Sequence, residues 1–168
     1  MAGGMAEYRA ALIGCGHRGG ANAESYRHIE DGVLVACCDP VAGRRDALAE
    51  RHGIKAYPDA RKMIEAERPD VVHVATMPDT RVELLTLVSE MGVPLCTVEK
   101  PIACGVKDWQ NLCALEASSK TRFAVSHQFR WHVHLARCRE AVKSGKLGTV
   151  RFLDVSAGMN IANQGTHI

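Results

Sequence analysis

Short apolar runs alternate along this chain with stretches whose apolar residues return every three or four positions, the pattern of strands alternating with helices. Residues 10–13 (AALI), 33–38 (VLVACC), 54–57 (IKAY), 71–75 (VVHVA), 94–98 (PLCTV) and 122–126 (RFAVS) read as strands. The run at 71–75 is apolar on both faces, as a central parallel strand is. Helices are predicted over 21–29, over 41–52 with Gly53 closing it, and from Asp59 as a cap to about 67. Two more run from Asp79 or Thr80 as a cap to Gly92, and over 106–119. In the first of these, Val82, Leu85 and Val88 with Leu84, Leu87 and Met91 form a wide apolar stripe. In the second, Trp109, Leu112, Cys113 and Leu115 are expected to face inward. About six alternations of strand and helix predict an α/β fold, a doubly wound parallel sheet with right-handed crossovers. A helix over 134–144 and a turn at 145–148 (GKLG) complete that domain, residues 1–148. Residues 149–157 (TVRFLDVSA) then alternate as the first strand of another sheet, so 149–168 is expected to be the truncated start of a second α/β domain.

Composition narrows the class without deciding it. The chain has 168 residues, 46 % hydrophobic and 24 % charged, which suits a globular protein with one full core. Its formal charge of +2, from 21 basic and 19 acidic residues, includes no long run of one sign and gives no case for a nucleic-acid or membrane partner. No apolar stretch approaches the roughly 20 residues that span a bilayer, and no secretory leader is evident, so a cytoplasmic protein is expected. The seven cysteines include no C-x-x-C pair and are expected to be reduced and mostly buried. Cys15, inside a glycine-rich loop, is the exception, expected to be open to modification when that loop is unoccupied.

That loop is the first candidate for chemistry. The strand at 10–13 breaks into Gly14-Cys15-Gly16-His17-Arg18-Gly19, the G-x-G-x-x-G spacing of the Rossmann dinucleotide site. Gly14 permits the sharp turn, Gly16 lets backbone approach a pyrophosphate, and Gly19 lets helix and strand pack closely. The amides at the following helix's N-terminus have no intrahelical acceptor and form an anion site, with His17 and Arg18 beside it. Asp39 ends the second strand and is placed to accept hydrogen bonds from the adenosine ribose, which favours NAD because a 2′-phosphate would meet like charge there. Arg44 and Arg45 leave NADP open as the alternative.

Two strand exits, Thr76-Met77-Pro78 and Glu99-Lys100-Pro101, fall at the carboxyl edge where ligands of open α/β sheets collect. Lys100 there is either a proton-transfer group or an ordinary turn lysine. His127, His132 and His134 lack partners at metal-ligand spacing, and His132 and His134 would face nearly opposite sides of a helix, about 200° apart, so no metal site is expected.

The ordered set ALIGCGHRG, Asp39, ATMPDTR, VEKP, HQFRW, GKLG and QGTH resembles the Gfo/Idh/MocA oxidoreductases, the glucose-fructose oxidoreductase and inositol dehydrogenase family. The resemblance implies that Lys100 is the catalytic lysine, that Glu99 lies near the nicotinamide ribose with a cis peptide before Pro101, and that Thr76, Met77 and Pro78 line the cofactor cleft. It also implies that Arg130 and Trp131 lie near the substrate entrance and that His167 relays a proton to the substrate hydroxyl. Asn163 stands where relatives carry an acid, and Arg81 where they often carry histidine. The expected function is an NAD(P)-dependent oxidoreductase acting on a sugar, polyol or related hydroxy compound, as a homo-oligomer. A catalytically inactive nucleotide-binding or assembly module and an NAD-dependent glycosidase are the alternatives.

Overall fold

The computed structural model describes residues 8–154, and the described chain divides after His127 into two compact units. The first is built on six strands: β1 (Tyr8–Ile13), β2 (Gly32–Cys38), β3 (Lys55–Tyr57), β4 (Val71–Val74), β5 (Leu95–Glu99) and β6 (Arg122–Ser126). All pair in parallel, in the order β3-β2-β1-β4-β5-β6. Parallel neighbours require crossovers, and helices α1 (His17–Ser25), α2 (Ala42–His52), α3 (Ala60–Glu67), α4 (Arg81–Glu90) and α5 (Val106–Ser118) supply them.

Side chains alternate across a strand, so each strand feeds two cores. Ala10 and Leu12 of β1 join Leu34 and Cys37 of β2, Ala23 of α1 and Leu48 and Ala49 of α2 on one face. Ala11 and Ile13 join Ala36, Val72, Val74, Cys96 and Val98 with Met63, Ile64, Leu85, Val88 and Leu112, from α3, α4 and α5, on the other. The winding reverses between β1 and β4, and the crevice at their carboxyl ends is the topological switch point at which such sheets bind ligands.

Several local expectations change. Helix α1 begins at His17, four residues before the predicted start, with Gly16 in the N-cap position, and its end tightens into a 3₁₀ turn at Tyr26–His28. Packing of Gly19 and Ala23 against the sheet overrides the poor helix propensity of the Gly19-Gly20 pair. Asp59 caps α3 as predicted, accepting from the Lys62 amide at 2.8 Å. Thr80 takes the N-cap position of α4, but its side chain makes no capping bond: a 3₁₀ turn, Pro78–Thr80, leads in, and the Thr80 hydroxyl donates to the Met77 carbonyl at 2.9 Å. On α5 only Leu112 is buried, with Leu115 packed beside it. Trp109 is 53 % exposed, and Cys113 is exposed too. β6 ends the sheet, so α5 meets the core along a narrow stripe. All seven cysteines are free. Cys15, Cys37, Cys38 and Cys96 are buried, but Cys104, Cys113 and Cys138 are not.

The second unit contains a 3₁₀ turn, Gln128–Trp131, and α6 (Val133–Lys143). His132 is the extended N-cap residue of α6, outside the helical phase, so its ring sits 5.2 Å from that of His134 and not on an opposite side. Residues 149–154 form no strand, since no described segment runs alongside to complete a ladder; the rest of that predicted strand lies outside the described residues.

Candidate cofactor site at the carboxyl edge of the sheet

The glycine loop is shaped by close backbone approach. Gly14 has φ +98°, and a Cβ there would come within 2.7 Å of the Ala75 carbonyl oxygen, at the end of β4. A Cβ on Gly19 would lie 1.9 Å from the Gly14 carbonyl oxygen, so any side chain would push α1 off the loop. Gly16 differs: a Cβ there meets nothing within 4 Å. Protein packing therefore leaves open the space in front of Gly16, where a pyrophosphate would approach. No side chain caps α1, and the Gly20 amide is the first to bond back, to the Gly16 carbonyl. The amides of His17, Arg18 and Gly19 are thus free of intrahelical acceptors at the positive end of the helix dipole, and the loop fits a dinucleotide diphosphate.

Asp39 is buried, and both of its oxygens accept main-chain hydrogen bonds: Oδ2 from the Cys15 amide and Oδ1 from the Val41 amide, each at 2.8 Å. The carboxylate therefore ties the end of β2 to the glycine loop. Arg45 pairs with Asp46 at 2.8 Å, whereas exposed Arg44 makes no ion pair among the described residues. The Cys15 thiol, expected to be modifiable, is buried. Its hydrogen bond with Cys37 comes first, and burial second, in pushing its pKa upward, so it stays protonated.

Across the crevice, Thr76-Met77-Pro78 follows β4 and Glu99-Lys100-Pro101 follows β5, both at the same edge. Thr76 and Thr80 share a hydroxyl hydrogen bond of 2.7 Å, and Met77 is exposed. Glu99 is buried, with its Oε2 3.5 Å from Arg18 Nε, a pair that joins the first turn of α1 to the exit of β5. Lys100 is exposed, and the Lys100–Pro101 peptide is cis, as the resemblance implied. The edge thus gathers Gly14, Gly16, His17, Arg18, Gly19, Asp39, Thr76, Met77, Pro78, Glu99 and Lys100 on the exits of β1, β2, β4 and β5. His167 and Asn163 lie outside the described residues. Arg130 and Trp131 belong to the second unit.

The resemblance puts Arg81 at this edge, where relatives often carry histidine, but its burial was not foreseen. Its side chain is 1 % exposed and heads the fully buried side chains by volume. Nη2 donates to the Thr76 carbonyl at 2.6 Å and Nη1 donates to the Glu99 carbonyl. Burial lowers its pKa, opposed by the Glu99 carboxylate. A signal was present: Arg81, Leu85 and Val88 share the i, i+4, i+7 phase of the buried stripe of α4.

Residues 8–127 match the family model described as an oxidoreductase family with an NAD-binding Rossmann fold, Gfo/Idh/MocA. The chain is 31 % identical over 144 residues to a D-apiose dehydrogenase of Paraburkholderia graminis, covering 84 % of this chain and 38 % of the relative. It is 32 % identical over 146 residues to inositol 2-dehydrogenase 4 of Saccharopolyspora erythraea, covering 84 % and 43 %. Among solved structures, a probable dehydrogenase of Thermotoga maritima matches with a TM-score of 0.78 at 26 % identity, covering 83 % of this chain and 42 % of that one. An Agrobacterium radiobacter oxidoreductase, solved with NAD+, L-tartaric acid and magnesium, shares the fold with a TM-score of 0.80 at 24 % identity, covering 85 % and 42 %. The chain spans about two fifths of the length of these curated relatives.

Proposed function

Because this chain belongs to the Gfo/Idh/MocA oxidoreductases and carries their NAD-binding Rossmann domain, we propose that it is the cofactor half of a dehydrogenase acting on a sugar, polyol or related hydroxy compound. The observation that carries this reading is the meeting of an uncapped glycine-loop helix with the Glu99–Lys100 exit at one sheet edge. NAD, when bound, supplies the hydride acceptor. The free amides of α1 bind the diphosphate, and Gly16 keeps its approach clear. Asp39 holds the loop in shape through Cys15 and Val41 and has lone pairs left for ribose hydroxyls. Glu99 meets the nicotinamide ribose, Thr76, Met77 and Pro78 wall the cleft against water, and Lys100 Nζ takes the proton of the substrate hydroxyl. His167 is the proposed relay for that proton. A hydroxylated substrate is supported by the named relatives, which include D-apiose, inositol and D-glucoside dehydrogenases. The free thiols suit a reducing compartment, so the proposed setting is the cytoplasm, with a homo-oligomer as the working assembly.

The test is Lys100→Met in the whole protein. NAD affinity by calorimetry should stay within about twofold of wild type while polyol-dependent NADH formation falls by about a thousandfold, within the range a positioned acid–base group contributes. Unchanged turnover would remove Lys100 from the mechanism, and absence of NAD binding in wild type would return the chain to an assembly module.

A further inference from the structure

A buried guanidinium with no carboxylate hydrogen-bonded to it is a costly choice for a fold. Arg81 is such a group: its two terminal nitrogens hold main-chain carbonyls, and its Nε has no hydrogen-bond partner among the described residues. The two carbonyls belong to Thr76 and Glu99, which begin the two neighbouring exits across the crevice from the glycine loop. The β4–β5 ladder ends at Val74 and Val98, so beyond it the exits have left their shared hydrogen-bond register. Among the described residues no hydrogen bond other than those of Arg81 joins 76–78 to 99–101. The planar fork of arginine suits this task, because its donors are fixed relative to one another. An ammonium is a point donor on a flexible stem and does not reproduce that spacing.

We propose that Arg81 is a positioning residue that sets the separation of the Thr76 and Glu99–Lys100 exits around the nicotinamide half of the dinucleotide. The inference rests on the cofactor reading above. The glycine loop and Asp39, which serve the adenosine half, make no hydrogen bond with Arg81 among the described residues.

The experiment compares NAD with ADP, which lacks both the nicotinamide and its ribose, by calorimetry on the full chain carrying Arg81→Lys or Arg81→Gln. Both variants should bind ADP within about twofold of wild type and NAD about tenfold more weakly, a difference of about 1.4 kcal/mol. A general loss of order would weaken both ligands together, and equal losses, or none, overturn the proposal. Thermal melts accompany the titrations: if neither variant unfolds cooperatively, Arg81 is a stability element and the proposal falls. Wild type binding neither ligand defeats the cofactor reading itself and this inference with it, an outcome distinct from the others.

Discussion

His73 lies in the middle of β4 with both ring nitrogens engaged: Nε2 is 2.6 Å from Tyr26 Oη, and Nδ1 is 2.5 Å from Thr97 Oγ1. A neutral imidazole offers one donor and one acceptor, so one hydroxyl donates to the ring and the other accepts from it. Burial disfavours the imidazolium and lowers the pKa from 6.5 to about 4. The unfolded chain therefore binds one more proton than the folded chain between those two values, and stability falls as the pH falls through that window. The stabilisation is complete above about 6.5 and gone at about 4. A gap of about 2.5 in pKa, at about 1.36 kcal/mol for each, amounts to about 3 kcal/mol, a large share of the ~5–15 kcal/mol that holds a typical domain together.

The perturbation is His73→Gln, which keeps an amide donor and acceptor and removes the titration. Urea unfolding is measured from pH 7.5 to pH 4.5, above the range in which most carboxylates protonate. Wild type should lose about 2.5 kcal/mol over that interval, about 1 M or more in urea midpoint at the usual slopes. The variant starts lower, from imperfect packing, and its stability should change little with pH. Parallel curves for the two proteins would refute the account, because the pH dependence would then come from elsewhere. Tyr26 provides the opposite arm: burial raises its pKa from 10.0 to about 12. The folded state holds that proton more tightly, so stability is lost as pH rises from 10 toward 12, and Tyr26→Phe should reduce that loss, leaving the share of the raised buried thiols.

Other outcomes follow from single contacts. Glu67 is buried, which raises its pKa, but hydrogen bonds from Tyr57 and Lys55 and the charges of Lys55 and Arg9 more than offset this and lower it. Its stabilisation is present above the ordinary carboxylate pKa and lost as pH falls through the lowered one, so Glu67→Gln should flatten the acid limb of the stability curve. Its cationic partners are 44 % and 68 % exposed and return easily to water, so the cost at pH 7 is about 2 kcal/mol by urea unfolding. Gly19→Ala sets a Cβ against backbone and should cost at least about 2 kcal/mol of stability, whereas Gly16→Ala should melt as wild type does and weaken NAD binding in calorimetry. Iodoacetamide with mass spectrometry at pH 8 should label Cys104, Cys113 and Cys138 and spare Cys15, Cys37, Cys38 and Cys96; rapid labelling of Cys15 would contradict its burial.

The parts of this molecule legible in its sequence are those governed by short-range rules. The glycine spacing specifies three backbone constraints within six residues, and each of Gly14, Gly16 and Gly19 meets the environment its place in the motif demands. The parallel order of the strands follows from alternation alone, since a helix between two strands returns the chain to the same end of the sheet. What escaped was polar burial brought about at long range. His73 reads as part of a run apolar on both faces, and Arg81 as an edge position where relatives often carry histidine. Their partners, Tyr26, Thr97, Thr76 and Glu99, come from other elements. Trp109 was misjudged for a related reason: helix periodicity reports which residues share a face, and only the position of α5 at the sheet's end decides how much of that face is covered.

Asp39 joins these two kinds of information. Read from the motif, it is an acceptor for ribose hydroxyls that excludes a 2′-phosphate. In the structure it also holds the Cys15 and Val41 amides, and the buried Cys15 amide left without an acceptor would cost about 1–3 kcal/mol. The loop therefore requires an acceptor at this position whichever nucleotide is bound, so the carboxylate has an architectural role apart from cofactor choice. Replacing Asp39 to admit a 2′-phosphate would release the amides that shape the diphosphate site along with the repulsion it was meant to remove. Arg44, exposed and without an ion pair among the described residues, stands outside that bracing, so adjustment of cofactor choice is cheaper there than at the residue the motif singles out.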